Sequence, residues 1–146
     1  MAEKEALHSG HRQRMRQRFL STGFDTFAEH EILEVLLYYA IPRIDTNEIA
    51  HRLLQHFGSL SAVFDADPQE LIKVKGVSEN TAVLLKMIPS LARVYLSGGQ
   101  EKHPRLDTPD KLGAYLADQF IGRTNEVVLL LCMDVSLRLI RCETIS

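Results

Sequence analysis

Two tight helix–turn–helix corners between Leu53 and Lys86 constrain the fold of this 146-residue chain more than any other feature. Three apolar positions and a serine, at 54, 57, 60 and 61, recur at 71, 74, 77 and 78, a constant offset of 17 residues. Gly58 and Gly76 stand at the corners, where glycine readily adopts the left-handed backbone that turns one helix sharply into the next. The repeat predicts two hairpins of helices packed as a pseudo-twofold pair.

Ser78, just after Gly76, predicts that a new helix starts there. The Ser78 hydroxyl can accept a hydrogen bond from a first-turn amide, while other amides of that turn point outward at the positive end of the helix dipole. Such a turn can hold a phosphate. The candidate phosphate-binding residues are therefore the two corners and the lysines near the second, namely Gly58, Ser59, Leu60, Lys73, Lys75, Gly76, Val77, Ser78 and Lys86.

A basic segment lies before the two corners. On a helix, Met15 and Phe19 share one face, and Arg12, Arg14 and Arg16 spread over the rest. One interpretation is a solvated helix that docks through its apolar pair. The other is an auxiliary phosphate contact made by the three arginines.

Local signals also predict the helices around the corners. Thr26 with Glu29 has the form of a capping box and predicts the start of an apolar helix that Pro42 ends. After the second corner, a helix is predicted from Glu79 to about residue 95, broken or kinked at Pro89.

The end of the chain has a different character. Thr108 predicts the start of a helix, and strands at 126–133 and 138–145 are predicted to form a β-hairpin. Its register would not place Cys132 opposite Cys142, so two free thiols are expected. Because the first strand is apolar on both faces, it belongs inside a covered sheet. The unpaired hairpin is therefore expected to offer an edge for pairing with another copy of the chain.

Composition limits the partners. The net charge of −2 is low for a dedicated nucleic-acid binder, so any DNA affinity should be weak and independent of sequence. No apolar run is long enough to span a membrane, and the first residues lack the apolar core of a secretory signal. We therefore expect a cytoplasmic protein with no membrane partner.

The corner stretch resembles the double helix-hairpin-helix module of DNA repair and recombination proteins, although Ser78 stands where the commonest form has its second glycine. Taken together, GHRQRMRQRFL, EHEILEVLLYYAIPRIDTNEIAHRLLQHFGSL, VKGVSENTAVLLK and NEVVLLLCMD resemble the N-terminal two-thirds of the bacterial RadC family. The resemblance implies a mainly α fold. It would comprise a helical head at 1–96 with the double module at 49–96, a linker at 97–107, and an incomplete α/β fragment of a JAB/MPN-type metalloprotease-like domain at 108–146.

In the RadC family a zinc site follows this region, as a His-x-His motif with a downstream Asp. The sequence to Ser146 contains neither, so no metal ligand set, no cofactor and no enzymatic activity are expected of this chain. Glu126 matches the general base of JAB-type enzymes only if the zinc domain were complete. Zinc is expected for the complete family domain.

Two functions therefore compete. The first is a sequence-tolerant DNA-binding module that contacts phosphates through the amides of its corners. The second is a protein-interaction head that positions a substrate for a zinc-dependent JAB-type peptidase or hydrolase domain absent from this chain. The choice between them rests on fold analogy.

Overall fold

The computed structural model describes the backbone of residues 2–145 and the side chains of residues 10–145. This part of the chain is mainly helical with one small two-stranded antiparallel sheet, as the sequence predicts. The elements are α1 (Ala2–Thr22), α2 (Glu29–Leu37), α3 (Asn47–Phe57), α4 (Leu60–Asp65), α5 (Pro68–Leu71), α6 (Glu79–Gly98), α7 (Pro109–Phe120), β1 (Val128–Met133) and β2 (Leu139–Ile145). Among the described residues, every helix is too short or too polar to cross a bilayer.

The chain divides into two compact units, Met1–Lys86 and Met87–Ser146, and the division falls within α6. That helix continues through Pro89 to Gly98, so of the two predicted alternatives, a break or a kink at the proline, the break is wrong. The first unit contains both corners. Its core is built from one apolar face of each helix from α2 to the start of α6, with Leu33, Leu37, Ile49, Leu53, Val63, Leu71 and Leu85 fully buried. Burial of each such side chain contributes roughly 1.5–3 kcal/mol.

Both predicted corners are confirmed. Gly58 ends α3 with φ 96°, and the Ser59 hydroxyl accepts from the amide of Ala62 at 3.1 Å to begin α4. Gly76 has φ 97°, and the Ser78 hydroxyl accepts from the amide of Thr81 at 3.3 Å. Gly58 and Gly76 lie 18 residues apart, whereas the capping serines Ser59 and Ser78 lie 19 residues apart. The second turn therefore has one more residue between its glycine and its capping serine.

Gly76 also lies against the core. A Cβ at this position would stand 2.8 Å from Cδ1 and 2.9 Å from Cγ1 of Ile49, whereas a Cβ on Gly58 would meet no atom within 4 Å. The second corner therefore requires glycine for two reasons, its backbone angle and the close approach of α3.

The start of α2 differs from the prediction. Thr26 does not cap it; the helix begins at Glu29, and the side chain of Glu31 accepts from the amide of Ala28 at 2.9 Å. The reason is a contact from α1, because the Arg18 guanidinium donates to the carbonyl of Thr26 and to the Glu31 carboxylate. These bonds hold Thr26 outside the helix.

A buried carboxylate joins α1 to α2. Glu34 is 3% exposed and accepts hydrogen bonds from the Tyr38 hydroxyl at 2.9 Å and the Asn47 amide at 3.0 Å, with His11 Nε2 2.8 Å away. Burial and then the Glu34 carboxylate raise the pKa of Tyr38 above its ordinary value. Tyr38 also packs with Met15 and Val35 in a small second cluster.

The second unit contains α7 and the hairpin. Leu131 lies opposite Cys142 and Cys132 opposite Arg141, so both cysteines are free, as predicted. Part of the segment predicted as a linker is bonded to this hairpin, since the Leu106 amide donates to the carbonyl of Leu137 and the Leu139 amide to that of Pro104.

A matched pair of alanine variants tests the close approach at the second corner. Gly58→Ala introduces only the strain of a positive φ, which we expect to cost about 1–2 kcal/mol. Gly76→Ala adds the overlap with Ile49 and should cost about 1–3 kcal/mol more. Urea denaturation measures both free energies of unfolding, and equal losses in the two variants would contradict the steric argument.

High pH should weaken the first unit through Tyr38. Its folded-state pKa lies above the value of an unfolded tyrosine, so its contribution is complete below about pH 10 and is lost as pH rises further. Wild type should therefore exceed Tyr38→Phe in free energy of unfolding by about 1 kcal/mol at neutral pH. The gap should close in urea titrations above pH 10. A gap independent of pH would contradict this account.

Candidate nucleic-acid interface

A basic pocket of about 390 Å³ lies between α3 and the second corner. One side is formed by α3 and the other by the turn that follows α5. Five of the six lining residues are polar, and three of these carry a full positive charge. The lining residues are Arg52, Gln55, His56, Lys73, Val74 and Lys75.

The amphipathic pattern of α3 positions one wall of the pocket. Ile49 and Leu53 are buried in the core, so the opposite face of the helix is turned to solvent. Arg52, Gln55 and His56, at i, i+3 and i+4, line one surface of the helix. This surface borders the buried face, because Arg52 and His56 follow Ile49 at i+3 and i+7.

Arg52 connects the two walls. One guanidinium nitrogen donates to the carbonyl of Lys75 at 3.3 Å, and the other donates to the Glu48 carboxylate at 2.7 Å. The Glu48 side chain is 71% exposed, and such a pair contributes about 0–1 kcal/mol. A ligand anion could therefore replace Glu48 at little cost.

The lysines supply the remaining charge. Lys73 pairs with Glu70 at 2.5 Å, also on an exposed edge, whereas Lys75 pairs with no carboxylate in the described part of the chain. Three cations thus face two carboxylates, Glu48 and Glu70, and the excess of positive charge is centred on Lys75.

The second corner presents part of its backbone beside this pocket. Gly76 and Ser78 are exposed, and within residues 10–145 their amides have no acceptor. The Val77 amide, also predicted to contact phosphate, donates to the carbonyl of Val74 at 3.0 Å, a bond that closes the turn. Two of the three predicted amides at this corner can therefore bind an external anion.

The first corner differs from the second. The Leu60 amide donates to the Glu29 carboxylate at 3.3 Å, and the Gly58 amide donates to the carbonyl of Leu54 at 2.8 Å. Both were predicted to bind phosphate, and both already have acceptors within the protein. Ser59 uses its hydroxyl to cap α4, and its backbone remains at a corner where the Glu29 carboxylate would repel a second anion.

Other predicted cations lie outside the pocket. The ammonium of Lys86 donates to the carbonyl of Phe64 at 2.7 Å, and Arg12 donates to the carbonyls of Ile41, Pro42 and Ile44. These two side chains therefore hold segments of the first unit together. Arg14 and Arg16 are exposed on α1.

The structure gives no support for a metal site in residues 10–145, where no three His, Cys, Asp or Glu side chains are grouped to hold an ion. Glu126 is exposed just before β1. His30 and His51 are stacked with ring centroids 4.5 Å apart, an arrangement in which their in-plane lone pairs do not converge.

Three pocket residues, Arg52, Gln55 and His56, were not predicted from the sequence. Their signal was a polar face of α3 at i, i+3 and i+4, which borders the buried positions Ile49 and Leu53. Helical periodicity alone identifies that face but does not reveal that the second corner lies against it.

Comparison with known proteins places this region in a family. The UPF0758 N-terminal family model matches residues 8–83, which include both corners and the whole pocket. A UPF0758 protein of Fusobacterium nucleatum is 45% identical over 94 residues, which cover 64% of this chain and 40% of that protein. The match thus spans about two-fifths of the relative's length, and no solved structure matches the chain. The chain belongs to the UPF0758 family.

Proposed function

We propose that this chain is a sequence-tolerant DNA-binding module of RadC type, whose second corner and adjoining pocket bind backbone phosphate. The observation that carries the proposal is the convergence of Arg52, Lys73 and Lys75 beside Gly76 and Ser78, two exposed residues whose amides have no acceptor within residues 10–145. Cations and backbone N–H groups are the groups that proteins use to contact phosphates without reading bases.

The proposed contact uses local geometry more than total charge. The long helix α6 places the positive end of its dipole at the second corner, and Lys75 adds a cation with no carboxylate partner among the residues described. Glu29 occupies the Leu60 amide, so the first corner supports the fold and adds no equal contact. Binding through one corner is consistent with the net charge of −2 and should be weak.

The finer family assignment is also a proposal. The order of motifs resembles RadC proteins, in which a double helix-hairpin-helix head precedes a JAB/MPN-like domain. We assign α7 and the β-hairpin to the beginning of such a domain, and a zinc-dependent hydrolase activity to the complete protein. Support comes from β1, whose apolar side chains Val128 and Leu130 are 63% and 44% exposed on a sheet of only two strands.

A protein-interaction head is the second candidate. One observation favours it: Met87, Leu91 and Val94 are 56%, 62% and 61% exposed along the second-unit part of α6. Contiguous apolar surface of this kind marks protein contacts in many soluble domains. This surface lies apart in sequence from the basic pocket, so variants at Lys75 and Leu91 separate the two functions.

The DNA-binding proposal predicts a specific salt dependence. Three phosphate contacts should lower the affinity for duplex DNA about 40-fold between 50 and 200 mM salt, and two contacts about 12-fold. Lys75→Gln should therefore bind duplex DNA more weakly at low salt, and its affinity should fall only about 12-fold between 50 and 200 mM salt. Fluorescence anisotropy with two unrelated sequences measures both the affinity and its independence of sequence.

Lys102→Gln is the matched control, since it removes an exposed lysine from the second unit and leaves the pocket intact. It should behave as wild type. If Lys75→Gln and Lys102→Gln share the wild-type salt dependence, or if wild type binds no DNA at 50 mM salt, the proposal fails. Circular dichroism shows that each variant is folded.

A further inference from the structure

We infer that the basic pocket accepts the terminal phosphomonoester of a DNA strand in preference to an internal phosphodiester. The inference rests on the proposed DNA binding and names the part of DNA that the site recognises. It is carried by the shape of the pocket, by the number of charges that converge there, and by the weakness of their present pairs.

The shape of the charged surface favours the terminal phosphate of a DNA strand over an internal phosphate. An internal phosphate is continuous with the backbone on both sides, and proteins that follow it usually present a groove lined with cations. Here three cations line one recess between α3 and the second corner, and the described residues that line it include no further cation. Elsewhere in the first unit, Lys86, Arg12 and Arg18 are engaged with backbone carbonyls or a carboxylate. The exposed arginines at 14, 16 and 43 do not line this recess.

The charge of the ligand also favours a terminal phosphate over an internal one. A phosphomonoester carries about −1.5 to −2 charges at pH 7, whereas an internal diester carries one. Arg52 and Lys73 are each paired with an exposed carboxylate, so a ligand must compete with Glu48 and Glu70 for both cations. A dianion competes for both at once and still interacts with Lys75.

The donors match a group with three free oxygens. The planar guanidinium of Arg52 can donate two parallel hydrogen bonds to one phosphate once Glu48 is displaced. Lys73 and Lys75 act as compact charges on the opposite wall, and Gln55 and His56 also line the pocket with side chains that can form hydrogen bonds. An internal diester presents only two free oxygens and would leave part of this set unused.

A pocket of similar size in the second unit does not share these properties. It has a volume of about 440 Å³ and includes Glu101 and Asp118 beside Arg105 and Lys111. Its acids and bases balance, so it offers no excess of positive charge to a dianion.

The test uses one short duplex prepared with 5′-phosphate, 3′-phosphate or only hydroxyl ends, with an internal fluorophore. In anisotropy titrations at 50 mM salt, wild type should bind at least one phosphorylated end about tenfold more tightly than the hydroxyl duplex, because a charge-assisted pair is gained. The 5′ and 3′ duplexes identify which end is recognised. Inorganic phosphate should compete with the phosphorylated end.

Two variants tie the preference to the pocket. Arg52→Gln and Lys75→Gln should each reduce it to about twofold or less. Lys102→Gln should retain it. Arg52 also donates to the carbonyl of Lys75, so Arg52→Gln removes a structural hydrogen bond as well as a charge. The Lys75 side chain has no hydrogen bond in the described structure, so Lys75→Gln changes only the charge of the pocket.

The outcomes separate the two proposals. Equal affinity for all three duplexes, with DNA still bound, overturns the end preference and leaves the DNA-binding proposal standing. A preference that survives in Lys75→Gln and Arg52→Gln also overturns it, because the pocket is then not its source. Failure to bind any duplex overturns both.

Discussion

The packing of Ile49 against Gly76 is the contact on which the rest of the first unit depends. It brings α3 so close to the second corner that a side chain on the glycine would overlap the isoleucine. The buried face of α3 is thereby fixed, and the polar side chains that border it, Arg52, Gln55 and His56, lie beside the lysines of the second corner. A steric requirement in the core thus determines which charged side chains meet at the surface.

Two groups of cations in the first unit have different roles. Arg12, Arg18 and Lys86 donate to backbone carbonyls or to a carboxylate, so they hold α1 and α6 to the rest of the unit. The group around Lys75 instead keeps an excess of positive charge at the surface. Net charge is therefore a poor guide to binding here, because it weights structural and available cations equally.

The local features were predictable and the distant ones were not. Gly58, Gly76 and the capping residues Ser78 and Thr108 follow from backbone angles and hydrogen bonds between neighbours, which the sequence contains directly. The Glu29–Leu60 bond joins residues 31 positions apart, and Arg12 reaches the carbonyl of Ile41 across 29 positions. Thr26 failed as a cap because Arg18, on another helix, bonds its carbonyl. The pocket combined both kinds of information, so its lysines were found and its α3 wall was missed.

The two corners are nearly equal in sequence but differ in their available amides, because the Glu29 carboxylate accepts a hydrogen bond from an amide of the first corner. Two equivalent corners could bind an elongated anion at two points and so fix its direction. A single available corner would contact such a molecule at one point and leave its direction undetermined. Under the proposed function, the orientation of the DNA would therefore have to be set by a second surface outside this corner.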